Sequence, residues 1–237
     1  MIGLKIIGLG LLLCLIGCAA QPVAMTTEPA VAPAAEAGAS WWYVRFRLRW
    51  PEGEEPSWYP DLLLADRVIG PALVAERAGI ERWRFHRRAA RDGAGRQFSF
   101  IFRAAPATAR RVNARIEADP WVIRLQEQGI VQTVSYDDPD RPQRPGIGDT
   151  SDPNWSLPMQ RAWPYFIEGA SRLWLELIRE FAKKEGWPAE PLARYAAIEK
   201  ALNDLWRNEG GHALLHHLSA VFGYQELEVM RQDVMRF

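Results

Sequence analysis

The stretch Trp41-Trp-Tyr-Val-Arg-Phe-Arg-Leu-Arg-Trp50 decides the fold that this sequence predicts. Large apolar side chains occupy every second position, and arginines occupy most positions between them. Since successive side chains of a β-strand point to opposite faces, this pattern predicts a strand with one apolar face and one basic face. One side of the resulting sheet should pack on a core, and the other should carry positive charge.

Further strands and helices follow this stretch along the chain. Alternating residues predict three more strands, and apolar residues at helical spacing predict helices between them. In chain order these are a helix from Asp61 interrupted at Gly70-Pro71, strands 80–88 and 97–103, a helix from Pro106, a short helix 121–128 and a strand 130–136. The order β-α-β-β-α-β over residues 41–136 predicts a ferredoxin-like unit, an antiparallel sheet with both helices on one face.

The remainder of the chain is predicted to be helical and to pack on this unit, which gives an α+β fold. A Pro- and Gly-rich connector, 137–157, leads into a helical region, 158–237. Gly210-Gly211 should end the second of its helices, and 212–222 and 225–235 should form two short closing helices. Core packing is the leading interpretation of an aromatic stripe on the first helix, and a ligand groove is the alternative; the stripe consists of Trp163, Phe166, Trp174 and Phe181.

The composition fits a folded body and limits the classes of partner. Hydrophobic residues make up 48% of the 237 residues, which is enough for a real core. Lys and Arg together number 29, as do Asp and Glu, so the chain has no overall charge with which to bind a polyanion. Charge is nevertheless uneven, because residues 41–128 hold 16 arginines against 11 acidic residues. A local basic surface is therefore expected.

The N-terminus has the pattern of an export signal. Lys5 precedes an apolar run, 6–16, that is too short to span a bilayer but has the length of a signal-peptide core. The run ends in Leu15-Ile-Gly-Cys18, which resembles the lipobox of bacterial lipoproteins. A buried core segment containing two thiols is the alternative interpretation of the same residues.

The lipobox resemblance implies that residues 1–17 are removed and that Cys18 is lipidated. The Ala/Pro-rich residues 18–40 would then form a flexible tether with a reach of about 25 Å. Ala19 and Ala20 follow the cysteine, which by analogy with that class implies the outer membrane, facing the periplasm. The mature chain would retain no free thiol, so a disulfide, a Cys-ligated metal and a Cys nucleophile are not expected.

The main candidate site is the basic face of the predicted sheet. Its residues are Arg45, Arg47, Arg49, Arg82, Arg84, His86 and Arg88. Guanidinium groups that converge on one surface suit phosphates and carboxylates, so the expected partner is an anionic ligand, a peptide or an envelope protein. Nucleic acid is not expected, because most aromatic residues point inward and the predicted compartment lies outside the cytoplasm. Alternatively, acidic residues of the C-terminal helices cover the arginines.

No metal or cofactor site is predicted. His212 and His216 are one helical turn apart, but no Glu completes a metalloprotease motif, and a surface or core role is favoured for these histidines and His217. The chain also lacks a Gly-x-Ser-x-Gly elbow and a phosphate-binding loop. The sequence therefore favours a non-catalytic protein.

Four segments resemble the elimination domain of lantibiotic dehydratases, the thiopeptide-type bacteriocin biosynthesis family. They are 41–46, 61–71, 83–88 and 214–223. The resemblance implies a catalytic arginine at Arg87 and a histidine at His216 or His217. It also shows departures, since Gln97-Phe-Ser99 stands where that family has His and Arg, and Ser219-Ala220 stands where it has Asn-Arg. A repurposed or degenerate lyase that acts on modified peptides through Arg87 and His216 is thus the alternative hypothesis.

Overall fold

The alternating stretch forms a strand in the computed structural model of the chain. The structure describes residues 38–141, 144, 146, 148 and 150–226. The predicted signal peptide, Cys18 and nearly all of the predicted tether therefore lie outside the described residues. In the described ranges, no helix combines the length and the apolarity that a membrane crossing requires.

Four strands and seven α-helices make up the described chain. The strands are β1 (Ser40–Leu48), β2 (Ile80–Ala89), β3 (Arg96–Ala104) and β4 (Val131–Tyr136). Between β1 and β2 run α1 (Tyr59–Leu63), a π-helix (Leu64–Ile69), α2 (Gly70–Ala75) and a 3₁₀ turn (Arg77–Gly79). The others are α3 (Pro106–Glu117), α4 (Pro120–Glu127), α5 (Leu157–Ala182), α6 (Pro191–Gly210), a π-helix (Gly211–His216) and α7 (His217–Val221).

The sheet is antiparallel throughout, with the strand order β2-β3-β1-β4. Each strand of the predicted unit is present, and each begins and ends within two residues of its predicted bounds. The mixed α+β class is confirmed. The ferredoxin-like assignment stays a prediction.

One core holds the sheet and the helices together. The inner face of the sheet buries alternate aromatic residues, and helices from both halves of the chain pack into the same cluster. From the sheet it includes Trp42, Phe46, Phe85, Phe98 and Phe100; from α5 and α6 it includes Leu175, Ile178, Tyr195 and Ile198. Burial of one such apolar side chain contributes about 1.5–3 kcal/mol, so the C-terminal helices are part of the fold's stability.

Helix α5 packs along β2, one of the two edge strands of the sheet. The edge strand β2 directs the backbone N–H of Phe85 away from β3, and it donates to Oγ of Ser171 at 3.0 Å. The Ser171 hydroxyl in turn donates to the carbonyl oxygen of Ile167 at 2.7 Å. An edge strand without such a cover is a template for unwanted pairing, so this contact both orients α5 and protects β2.

The prediction that the aromatic stripe of α5 lies in the core is partly wrong. Trp174 does pack against Phe85, with ring centroids 5.4 Å apart, but Phe166 is 50% exposed. The buried side of α5 includes the polar Glu168 and Ser171 instead. Periodicity shows which residues share a helix face, but it does not show which part of that face meets the sheet.

The α-helix α6 ends at Gly210, as predicted, but the two glycines do not break the helical path of the chain. The chain continues through Gly210 and Gly211 with ordinary right-handed helical dihedral angles into the second π-helix. The ring of Trp206 lies so close to Gly210 that an added Cβ would approach its Cε3 atom to 2.7 Å. Gly210 therefore makes room for an indole. Residues 227–235 of the predicted last helix lie outside the described residues.

Candidate functional site

The outer face of the sheet carries rows of hydrogen-bonding side chains. Antiparallel pairing places one side chain from each strand in each row. The first row is Arg88, Gln97, Arg47 and Thr133, and the second is His86, Ser99, Arg45 and Ser135. None of these side chains is acidic, and each can donate a hydrogen bond to an anion. This part of the predicted basic face is therefore assembled as the alternation indicates.

The other end of the face is covered by the connector. The backbone N–H of Trp41 donates to the carbonyl oxygen of Arg144 at 2.8 Å, and Nε of Arg84 donates to Oγ1 of Thr150 at 3.1 Å. Trp41 is only 4% exposed although it lies on the outer face. Burial lowers the pKa of the Arg84 guanidinium. Arg84 is thus a structural residue rather than an open ligand donor.

The middle of the face is held by one carboxylate. Nη1 of Arg45 donates to Oδ1 of Asp137 at 3.1 Å, and Arg144 donates to Oδ2 of the same residue. Two guanidinium groups share this carboxylate, so a positive charge remains beside Arg45.

The prediction that acidic residues of the C-terminal helices cover the arginines holds at one position. Nη1 of Arg82 pairs with Oε2 of Glu168 on α5 at 3.4 Å, and its guanidinium lies 4.2 Å from the centre of the Tyr165 ring. In the described part of the chain, no other arginine of the predicted face pairs with an acid of these helices. Described residues of the connector, Asp137, Arg144 and Thr150, provide the remaining cover.

The uncovered part is named here the open end and consists of Arg47, His86, Arg88, Gln97 and Thr133. Arg47 and His86 are exposed, and no described carboxylate pairs with Arg47. Arg88 pairs with Asp92 in the β2–β3 turn at 2.5 Å. Although the His86 ring is exposed, neighbouring protein atoms remove part of its hydration and, together with the charges of Arg84 and Arg88, lower its pKa.

Arg49 does not join this surface. It follows the last residue of β1, and its backbone N–H donates to the carbonyl oxygen of Ile130 at 2.9 Å. Arg49 lines a cavity of about 210 Å³ beside the loop that follows β1. The register shift between Arg47 and Leu48 accompanies this change of surroundings.

A second group of charges, named here the Asp61 cluster, lies at the inner side of the sheet. It consists of Asp61 on α1, Arg87 on β2 and Arg96 on β3. Nε of Arg87 donates to Oδ2 of Asp61 at 2.7 Å, and Nη2 of Arg96 donates to Oδ1 at 2.6 Å. Asp61 and Arg96 have no exposed side-chain surface, whereas Arg87 is 30% exposed. Burial raises the pKa of the Asp61 carboxyl, and the two guanidinium groups oppose that shift.

Two tryptophans enclose the guanidinium groups of this cluster. Trp58 lies over Arg96 and Arg87, with guanidinium-to-centroid distances of 4.1 and 4.8 Å, and Trp174 lies 4.9 Å from Arg87. Cation–π contact of this kind stabilises a buried cation by about 2 kcal/mol. Nε and Nη1 of Arg96 are buried without a hydrogen-bond partner.

A cavity of about 260 Å³ opens beside the cluster and is named here the side cavity. It is lined by Trp58, Arg87, Glu199 and Asn203. Burial raises the pKa of Glu199, while the nearby Arg87 lowers it. A carboxylate, a guanidinium, an amide and an indole thus meet around one small volume.

Sequence reasoning named Arg87 only through a resemblance and missed Asp61, Arg96 and Glu199. The strand alternation contained a usable signal, because Arg87 shares its face with Trp83 and Phe85, and Arg96 shares its face with Phe98. An arginine at an inward position needs a buried acid. The sequence could not show which acid this would be, since Asp61 is 26 residues from Arg87 and 35 from Arg96.

The histidines form an exposed group at the end of the helical region. Ring centroids of His212, His216 and His217 lie 5.1–5.3 Å apart, and Oη of Tyr224 is 3.4 Å from Nε2 of His216. Within the described residues, no three His, Cys, Asp or Glu side chains are arranged to hold a metal ion. The described contacts of Arg87 and of His216 have no residue in common.

Comparison with known proteins gave no relative: no family model matches the chain, no curated protein matches it, and no solved structure matches its fold.

Proposed function

We propose that this chain is a lipid-anchored protein of the bacterial cell envelope, held at the outer membrane and facing the periplasm, that binds an anionic ligand without catalysis. The ligand would be an acidic peptide segment or an envelope protein that carries one. Arg47 carries the proposal, because this exposed guanidinium has no described carboxylate partner and lies between two neutral hydrogen-bonding residues, Gln97 and Thr133.

The charges around Arg47 favour a carboxylate ligand. Asp137 neutralises only part of the charge of Arg45 and Arg144. Neither of the two rows of side chains on the outer face contains an acidic residue. A guanidinium that binds a carboxylate forms charge-assisted hydrogen bonds, and at an exposed position each such ion pair is worth up to about 1 kcal/mol. Two or three such contacts would give a specific but reversible complex.

The alternative hypothesis of a lyase receives less support. A lyase that used Arg87 and His216 would need both residues at one substrate. Arg87 instead donates Nε to Asp61 and Nη2 to the carbonyl oxygen of Trp58, and His216 lies in the exposed histidine group. We therefore propose binding rather than elimination.

The binding proposal is tested with the purified full-length protein in detergent and a fluorescent oligo-glutamate peptide. Arg47→Gln combined with Arg88→Gln should weaken binding about tenfold or more, which corresponds to about 1.4 kcal/mol. Binding to the wild type should also weaken as salt is added, because exposed charges are screened. An oligo-glutamine peptide of the same length should not bind.

A matched control removes the same charge elsewhere. Arg161→Gln combined with Lys200→Gln changes two exposed cations on α5 and α6 and should leave the affinity within about twofold. Equal affinity of wild type and the Arg47/Arg88 double variant would refute the open end as the binding surface.

The anchor is tested separately. Intact-mass measurement of the native protein should show loss of residues 1–17 and a mass that accounts for acyl chains on Cys18. Cys18→Ser should remove the acyl mass and release the protein from the membrane fraction. An unmodified thiol at Cys18 would contradict the envelope assignment.

A further inference from the structure

The side cavity has features of a binding site that is separate from the open end. It lies beside the Asp61 cluster and is lined by one cationic, one anionic, one amide and one aromatic side chain: Arg87, Glu199, Asn203 and Trp58. Ligand sites typically combine an apolar wall with a few polar groups that fix orientation.

Arg87 retains binding capacity on the side of the cavity. Its Nε donates to Asp61 and its Nη2 donates to the carbonyl oxygen of Trp58, so Nη1 is the nitrogen left for a ligand. Asp61 cannot neutralise Arg87 fully, because it is also the acid that pairs with Arg96. No other described carboxylate forms an ion pair with Arg96, and two of its nitrogens are buried without an acceptor. Asp61 alone therefore does not neutralise the two arginines.

Glu199 supplies the opposite charge across the same volume. It is half-buried on α6 and interacts electrostatically with Arg87, Asp61 and Arg96. A ligand with only a carboxylate would bring that group next to Glu199, and a ligand with only an ammonium group would bring it next to Arg87. Like charges in contact oppose binding, whereas a ligand with both groups pairs each with its opposite.

We propose that the side cavity binds a free α-amino acid as its zwitterion. The ligand carboxylate accepts from Arg87, the ammonium group donates to Glu199, the Asn203 amide contacts either group, and the ligand's apolar side chain packs on the Trp58 ring.

The volume agrees with a ligand of this size. A water molecule takes about 30 Å³ of liquid volume, so about 260 Å³ corresponds to about nine water-sized groups. Leucine has that number of non-hydrogen atoms, and because covalently bonded atoms lie closer together than separate water molecules, it needs less than this volume. The cavity is below the range of about 300–1,000 Å³ that is usual for drug-sized ligands, which disfavours a peptide of several residues inside it.

The experiment is isothermal titration calorimetry of the full-length protein in detergent with three probes. L-leucine carries both charges, L-leucinamide lacks the carboxylate, and N-acetyl-L-leucine lacks the ammonium group. We expect L-leucine to bind with a Kd of about 1 mM or tighter and each of the other two to bind about tenfold more weakly or not at all. N-acetyl-L-leucine that binds as tightly as L-leucine would overturn the zwitterion assignment, as would the absence of any L-leucine binding.

Variants locate the site. Glu199→Gln should weaken L-leucine binding about tenfold. It should fold normally, because the glutamine side-chain oxygen can still accept from the backbone N–H of Tyr59 and Glu199 makes no salt bridge to another described residue. Arg87→Gln should abolish binding but also disturbs Asp61, so the Glu199 variant is the decisive one. Lys200→Gln, on the neighbouring exposed residue of α6, should bind like the wild type.

The two binding proposals can fail independently. Arg47→Gln combined with Arg88→Gln should leave L-leucine binding unchanged, and Glu199→Gln should leave oligo-glutamate binding unchanged. Undiminished L-leucine binding by Glu199→Gln would overturn the side cavity as its site.

Discussion

The backbone N–H of Phe85 and the side-chain Oγ of Ser171 form a 3.0 Å hydrogen bond that joins the edge strand β2 to helix α5. These residues are 86 positions apart, and both are buried. A helix side chain thus occupies the place that a neighbouring strand would take.

Ser171→Ala should lower the free energy of unfolding by about 1–3 kcal/mol. The substitution removes the acceptor and leaves the Phe85 N–H buried without a partner, which incurs its full desolvation cost. Urea unfolding monitored by tryptophan fluorescence measures the change. Ser156→Ala is the control, because Ser156 is exposed and caps no backbone group of α5. A Ser171 variant as stable as the Ser156 variant would contradict this role.

Asp61→Asn should destabilise the protein strongly, by about 3–5 kcal/mol. It removes the shared carboxylate and leaves Arg96 as a fully buried charge without an acidic partner. Thermal unfolding followed by circular dichroism measures the loss. Asp204→Asn, which breaks an exposed pair with Arg207, should change stability by about 0–1 kcal/mol. Equal losses of stability in the two variants would show that the Asp61 cluster does not stabilise the fold more than an exposed ion pair does.

Gly79→Ala should destabilise the fold by about 1–3 kcal/mol, because an added Cβ would approach Oγ1 and Cγ2 of the buried Thr108 to 2.5 and 2.9 Å. Gly169→Ala should instead stabilise it by about 0.5–1 kcal/mol, since Gly169 lies inside α5 and an added Cβ meets no atom within 4 Å. Paired urea denaturation curves compare the two. Destabilisation of equal size at both positions would argue against the contact with Thr108.

The pKa of Asp92 should be about 2, and Arg88→Gln should raise it towards the ordinary value of about 3.9. Arg88 donates to the carboxylate, and the backbone N–H groups of Ala94 and Gly95 contribute the remainder. Because the folded-state pKa is depressed, this stabilisation is present above about pH 3.9 and is lost as the pH falls towards 2. NMR titration of the carboxyl carbon measures it. Arg161→Gln should leave the value at about 2, and an unchanged pKa in the Arg88 variant would contradict the assignment.

Strands could be predicted from the sequence better than surfaces. Alternation places Trp42, Phe46 and Phe98 in the core correctly, because burial of aromatic rings dominates the energetics of each strand. The same alternation could not show that the connector would cover Trp41 and Arg84. That cover depends on hydrogen bonds to Arg144 and Thr150, which residue type and spacing do not specify.

The two candidate sites also differ in how far the sequence predicts them. The rows of the open end follow from strand period and register, so Arg47 and Arg88 were predicted together. The side cavity depends on Glu199 of α6 lying next to Arg87 of β2. No local pattern relates residues that are so distant in the sequence, and the buried polar side of α5 was missed for the same reason.

The shared core makes the sheet and the C-terminal helices depend on each other for stability. Leu175 and Ile178 of α5 are buried in the same cluster as Trp42 and Phe46 of β1, and the described connector residues Arg144 and Thr150 contact the opposite side of the sheet. A truncation before the connector would remove both the C-terminal helices and the connector residues that contact the strands. The sheet and helices α5 and α6 are therefore expected to unfold in a single cooperative transition, and neither part should be stable as an independent fragment.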